Sequence, residues 1–166
     1  MDLSLRSTLQ PGDLGALVRL HGTVYAAEYG WDATFEAMVA EGLARFVLAK
    51  EGTGRLWVAE RDGAVAGCIA IVGQPDGSAQ LRWFLVDPAC RGAGIGRRLL
   101  DEALAFCRAE GFRSVFLWTV RGLEAAAHLY RSAGFRVTRE DAHVRWGAAV
   151  TEQRYDLILD PVEGSR

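Results

Sequence analysis

One segment constrains this chain more than any other: Leu85-Val86-Asp87-Pro88-Ala89-Cys90-Arg91-Gly92-Ala93-Gly94-Ile95-Gly96-Arg97-Arg98-Leu99-Leu100. An apolar, strand-like run enters a loop with glycine at every second position. A helical pattern then begins at once, with Leu99, Leu100, Ala103, Leu104 and Cys107 on one face. Glycine lets the backbone turn sharply and lets a ligand approach the N–H groups without meeting a Cβ. The first N–H groups of a helix have no intrahelical partner, and the helix dipole adds partial positive charge there. Such a junction is an anion site suited to a diphosphate. Arg91 and Arg97 flank it and can neutralise phosphate charge. The candidate binding set is therefore Arg91, Gly92, Ala93, Gly94, Ile95, Gly96 and Arg97.

A glycine loop alone fits several ligands, and also a bare turn with none. A P-loop needs Lys-Ser/Thr after its last glycine, and none follows here. A dinucleotide loop needs Gly-x-Gly-x-x-Gly and an acidic residue at the end of the next strand. This loop reads Gly-x-Gly-x-Gly, and the next strand ends at Trp118-Thr119 without an acid. Coenzyme A is the remaining common diphosphate carrier.

The rest of the chain reads as one domain over residues 1–166. Residues 3–7 predict a first strand, and Asp13 a helix N-cap. Two helices follow, the second over residues 33–50. Asp62-Gly63 predicts a hairpin between strands over 56–60 and 64–72. Residues 80–86 predict a central strand, 113–119 the next, and 123–132 a short helix stopped by Gly134. The last two strands are expected over 135–138 and 154–159, with a long irregular approach between them. The order is β-α-α-β-β-β-α-β-α-β-β, a mixed α/β (α+β) chain with about seven strands.

The short helix carries the second signal. Leu123, Ala126, Ala127 and Tyr130 share one face, and the alanines leave room for a ligand to come close. Acyl transfer from a thioester ejects a thiolate, and a phenol can donate a proton to it. A core tyrosine bonded to backbone is the plainer reading of Tyr130 taken alone.

Composition narrows the classes further. The net charge is −2 and no Lys/Arg stripe is present, which argues against a nucleic-acid partner or a membrane anchor. Cys68, Cys90 and Cys107 form no metal or redox pair, and His21, His128 and His143 have no metal-ligand spacing. The cysteines read as reduced thiols of a cytoplasmic protein, and no metal is expected.

Together the two motifs carry a resemblance. Arg91-Gly92-Ala93-Gly94-Ile95-Gly96 resembles the Gln/Arg-x-x-Gly-x-Gly/Ala loop of the GCN5-related N-acetyltransferases (GNAT). Ala126-x-x-Leu129-Tyr130-x-x-x-Gly134-Phe135 resembles that family's second signature, and the element order is similar to its fold across nearly the whole chain. Residues 25–32 and Leu117-Trp118-Thr119 are similar to the acetyltransferase half of bacterial proteins that fuse a MarR-type domain to this fold. The resemblance implies acetyl-CoA as co-substrate, held where the strand over 80–86 splays from the strand over 113–119. Leu85 and Val86 would pair with the pantetheine arm, the loop amides would hold the diphosphate, and Tyr130 would be the general acid. A homodimer is common in that family. Asn often stands two helical turns before the tyrosine there; here that position is Leu123, which carries no such contact.

The acceptor amine must lose a proton before attack. Glu28 is the first candidate base and Glu60 the second, each set against an ordinary solvated carboxylate. Tyr29, Trp31, Trp83 and Trp118 are expected to wall the acceptor pocket, and His143 and Trp146 to close it. The expected activity is acetyl transfer to a primary amine of a small molecule by direct attack in a ternary complex. Protein or peptide acetylation and non-catalytic acyl-CoA sensing are the alternatives.

Overall fold

The computed structural model describes residues 2–49 and 52–160. Strand β1 (Leu3–Arg6) is followed by helices α1 (Asp13–Tyr29) and α2 (Ala33–Leu48), then by strands β2 (Gly54–Arg61), β3 (Ala64–Gly73) and β4 (Ser78–Val86). Helix α3 (Ile95–Ala109), strand β5 (Ser114–Val120), helix α4 (Glu124–Ser132) and strands β6 (Arg136–Arg145) and β7 (Ala148–Ile158) complete the order. The expected end of α2 at Lys50 lies outside the described residues. No helix among the described residues is long and apolar enough to cross a membrane.

The strands form one sheet in the order β1-β2-β3-β4-β5-β7-β6. Every neighbouring pair is antiparallel except β4–β5. The sheet is apolar on both faces at its centre because helices cover both. Trp57, Ala59, Ile69, Ile71, Leu81, Val115 and Leu117 pack under α3 and α4. Leu56, Val58, Cys68 and Ala70 pack under α1 and α2, with Leu17, Phe35, Val39 and Leu43. The alternation of Ile69, Ala70 and Ile71 between these two cores is the period-2 pattern of a strand buried on both faces.

The parallel β4–β5 pairing runs only from Ser78↔Ser114 to Gln80↔Phe116. Beyond it the two strands diverge, and among the described residues the edge of β4 that faces β5 has no strand partner over Leu85 and Val86, whose other edge pairs with Cys68 and Gly67 of β3. A bulge enters β4 at the same level: Cys68 pairs with Leu85, but Ala70 pairs with Arg82. Trp83, in the left-handed region at φ 49°, is the residue that absorbs the extra length. Burial pushes the Cys68 thiol up to about 12, so it stays protonated and donates to the Trp83 carbonyl at 3.0 Å.

Two expectations are corrected. Asp13 does not cap α1; Gly12 is the cap, and Asp13 is a buried first-turn residue whose carboxylate accepts from Arg6 Nη1 at 2.5 Å and Nη2 at 2.8 Å. The burial of Asp13 is satisfied by that fork rather than by the helix amides. The irregular approach to the last strand is instead a long hairpin, β6–β7, with a bulge between Val137 and Arg139, closed by Trp146 (φ 55°) and Gly147 (φ 76°). Two consecutive positive φ values make the tight turn that matches strand twist, as at Asp62-Gly63.

Candidate active site

The divergence of β4 and β5 opens two adjoining cavities. The larger, about 650 Å³, is lined by Leu85 and Val86, by Arg91, Gly92, Gly94, Ile95, Gly96 and Arg97, and by Glu28 and Tyr29 of α1 and Ala126 and Leu129 of α4. The smaller, about 220 Å³, lies between α1, α2 and the β6–β7 turn. Tyr25, Phe84 and Leu123 line both.

The glycines of the loop do different jobs. Gly92 (φ 85°) and Gly94 (φ 75°) are left-handed, and a Cβ at either would meet open space. They are required by backbone conformation, which turns the chain into α3 with no side-chain cap on its first N–H groups. Gly96 lies inside the first turn, where a Cβ would stand 3.0 Å from Leu129 Cδ1. Its role is close approach of α3 to α4. Ala93 does not line the cavity. Across the larger cavity, Glu28 Oε1 holds Arg91 Nη1 at 2.7 Å.

Tyr130 lines the smaller cavity and is buried, 4% exposed, with Phe84, Phe135 and Tyr155 rings 5.6–5.9 Å from its own. Burial, helped by Tyr25 and Tyr155, raises its pKa well above the ordinary phenol value, so the hydroxyl is held protonated. Phe84, which touches it, separates it by one ring from the larger cavity. The expected wall residues Trp31, Trp83 and Trp118, and Trp146, line the smaller cavity. Tyr29 lines the larger one instead. Glu28 also stands there, away from the smaller cavity's lining. Glu60 pairs with Arg6 near β1, and His143 lies exposed on β6; neither lines either cavity.

Several lining residues escaped the sequence reading. Tyr25 and Phe35 stack into the aromatic wall with Trp31 and Trp146. Arg145 is paired with Glu152, lies over Trp146 at 4.7 Å and donates to Met38 Sδ at 3.3 Å. His21 is 3% exposed; its Nδ1 donates to the Leu17 carbonyl at 2.8 Å, which leaves Nε2 proton-free, buried and without a hydrogen-bond partner among the described residues. Burial depresses its pKa, so the ring is neutral. The helical spacing of His21 with Leu17 and Val24 was the available signal, and it reads equally well as core. Arg82 also lines the smaller cavity.

The sequence matches the acetyltransferase (GNAT) family over residues 22–135, a stretch that contains the glycine loop, both strands of the splay and Tyr130. The chain belongs to the GNAT family. It is 31% identical over 123 residues to an uncharacterized N-acetyltransferase of Schizosaccharomyces pombe, covering 72% of this chain and 74% of that protein. It is 39% identical over 89 residues to N-acetyltransferase family 8 member 3 of Rattus norvegicus, covering 51% of this chain and 39% of the rat protein. The chain thus spans well under half of that relative's length. Among solved structures, a GNAT-family acetyltransferase of Staphylococcus aureus Mu50 superposes with a TM-score of 0.78 at 18% identity, covering 96% of this chain and 100% of that one. The Salmonella typhimurium yncA structure, solved with its cofactor acetyl-CoA, gives 0.73 at 21% identity over 99% and 96%. These likenesses establish that the mixed seven-stranded architecture is the GNAT fold. Among the described residues no group of three or more His, Cys, Asp or Glu is placed to hold a metal ion.

Proposed function

We propose that this GNAT protein transfers an acetyl group from acetyl-CoA to the primary amine of a small molecule, with both bound at once. The observation that carries the reading is the position of Tyr130: a buried, protonated phenol in the wall of an aromatic cavity, packed on Phe84, which also lines the adjoining larger cavity. The donor fits the larger cavity by the chemistry of its lining. Uncapped amides of α3, two left-handed glycines and Arg91 and Arg97 suit the diphosphate, and the unpaired β4 edge at Leu85 and Val86 suits an amide-bearing arm. Acetyl-CoA would supply an activated thioester carbonyl.

The smaller cavity then orients the acceptor. Aromatic walls exclude water and hold an apolar body. The amine nitrogen attacks the carbonyl carbon, the C–S bond breaks, and Tyr130 donates its proton to the departing sulfur. Glu28, paired with Arg91 in the lining of the larger cavity, would reach the amine proton only through water. Residues 25–32 and Leu117-Trp118-Thr119, which carry the likeness to MarR-fused acetyltransferases, supply much of this wall, and that finer kinship is part of the proposal. So are a cytoplasmic setting, supported by three free cysteines, and a homodimer, supported by the exposed edge strand β6.

A thiol-release assay with acetyl-CoA and a panel of small amines and peptides tests the reading. Turnover with small amines supports it. Turnover with peptides alone, or CoA binding with no turnover, overturns it.

A further inference from the structure

Arg82 has no ion pair or hydrogen bond among the described residues, although it is half-buried in the wall of the smaller cavity. Its guanidinium lies 4.3 Å from the centre of the Trp83 ring. Its Nη2 stands 3.2 Å from the point a Cβ on Gly42 of α2 would occupy, and Trp83 Cζ2 stands 2.9 Å from the same point. The bulge brings these two consecutive residues to the same helix, and the missing side chain at Gly42 admits both. Loss of hydration disfavours the charge, lowering the Arg82 pKa, yet a guanidinium stays protonated. A half-buried cation without a counter-charge invites an anion from outside the chain. The other charges in the wall do not supply one. Arg145 is matched by Glu152, so the lining carries two arginines against one glutamate.

Resting on the proposed acetyl transfer, we infer that the acceptor is an amino acid or a close analogue, whose carboxylate is held by Arg82 while its apolar side chain packs on the aromatic wall. A guanidinium beside an indole, 4.3 Å from its ring centre and with no other hydrogen-bond partner among the described residues, can offer its N–H groups to a planar, two-point partner. A cavity of about 220 Å³ is smaller than the roughly 300–1,000 Å³ of sites for drug-sized ligands. It suits a single amino acid rather than a peptide.

The test compares L-leucine, L-methionine and L-phenylalanine with their carboxamides, on the full chain with acetyl-CoA, for wild type, Arg82→Met and Arg82→Lys. Arg82→Met is expected to lower kcat/KM for the free acids by about 10- to 150-fold, the range for losing a hydrogen bond to a charged group. The carboxamides should be unaffected, and Arg82→Lys should restore part of the loss. Each variant's acid-to-amide ratio is compared with wild type, which cancels the difference in amine basicity. Equal loss for acids and amides, or no loss for either, overturns the inference while leaving acetyl transfer standing. If no amine is acetylated, the proposed function fails, and calorimetry with the same amino acids and CoA reads Arg82 directly. Binding weakened by Arg82→Met supports a carboxylate site, and unchanged or undetectable binding to wild type ends it.

Discussion

Arg91 Nη1 lies 2.7 Å from Glu28 Oε1, tying the loop before α3 to the last turn of α1 across the larger cavity. A bound diphosphate would compete for the same guanidinium. Glu28→Gln should therefore tighten CoA binding by a few fold, since a half-exposed pair contributes only about 0–1 kcal/mol. Arg91→Met should weaken it by about 10- to 150-fold. Calorimetry checks both, and the effects should shrink as salt is raised. If Glu28→Gln also leaves kcat unchanged, Glu28 is not the base.

Tyr130→Phe removes one oxygen from a site whose rings keep it packed. It should lower kcat by roughly 10- to 10⁴-fold, the range for a lost general acid, with CoA affinity unchanged. Its raised pKa sets the sign of the alkaline behaviour. The phenol donates while protonated, so loss of its proton would reduce activity only above the ordinary phenol range. A pH–rate profile that falls below about pH 9 must report another group.

Gly94→Glu should fold, because the position faces open space, but should lose CoA binding through like charge in the diphosphate site. The left-handed backbone alone costs about 1 kcal/mol. Gly94→Ala, which carries that strain without the charge, separates the two effects in paired denaturation and binding measurements.

Gly67 sets the position of the β4 edge: a Cβ there would stand 2.6 Å from the Leu85 carbonyl oxygen. Backbone, not a yielding side chain, would have to move. Gly67→Ala should destabilise the protein by about 1–3 kcal/mol, as overpacking does, and weaken CoA binding through displaced Leu85 and Val86. Urea denaturation and calorimetry test the pair of effects together.

His21 is held below its ordinary pKa of 6.5, so the unfolded chain takes up its proton first. Stability from this group is present above about pH 6.5 and falls as pH drops towards the folded value, by at most about 1.4 kcal/mol per pH unit. Asp13, held low chiefly by its hydrogen bonds from Arg6, shifts in the same direction: its contribution is kept above about pH 3.8 and lost as pH falls towards the folded value. Urea midpoints between pH 7 and 5 should decline for wild type and flatten for His21→Leu.

The parts legible in the sequence are those governed by local rules. The glycine loop, the Asp62-Gly63 hairpin and the Tyr130 helix each announce themselves within a few residues. The β6–β7 hairpin does not. Strand β6 is exposed along almost its whole length, so Arg136–Arg145 shows no alternation, and its turn places a tryptophan where asparagine or glycine is usual. Arg82 was invisible for a different reason. A strand's period predicts opposite faces for neighbours, and only the bulge at Trp83 sends both residues towards α2. Glu28 and Tyr29 were assigned to the acceptor side because sequence order cannot tell which of two adjoining cavities a helix end will face.

The brevity of the β4–β5 pairing has a mechanical consequence. One half of the sheet, β1 to β4, is stitched to the other half by three rungs of backbone at one end. The open end is a vacant lane with donors and acceptors already in place. An extended guest lying in it would lengthen the seam itself, making the occupied protein stiffer along that line than the bare chain can be.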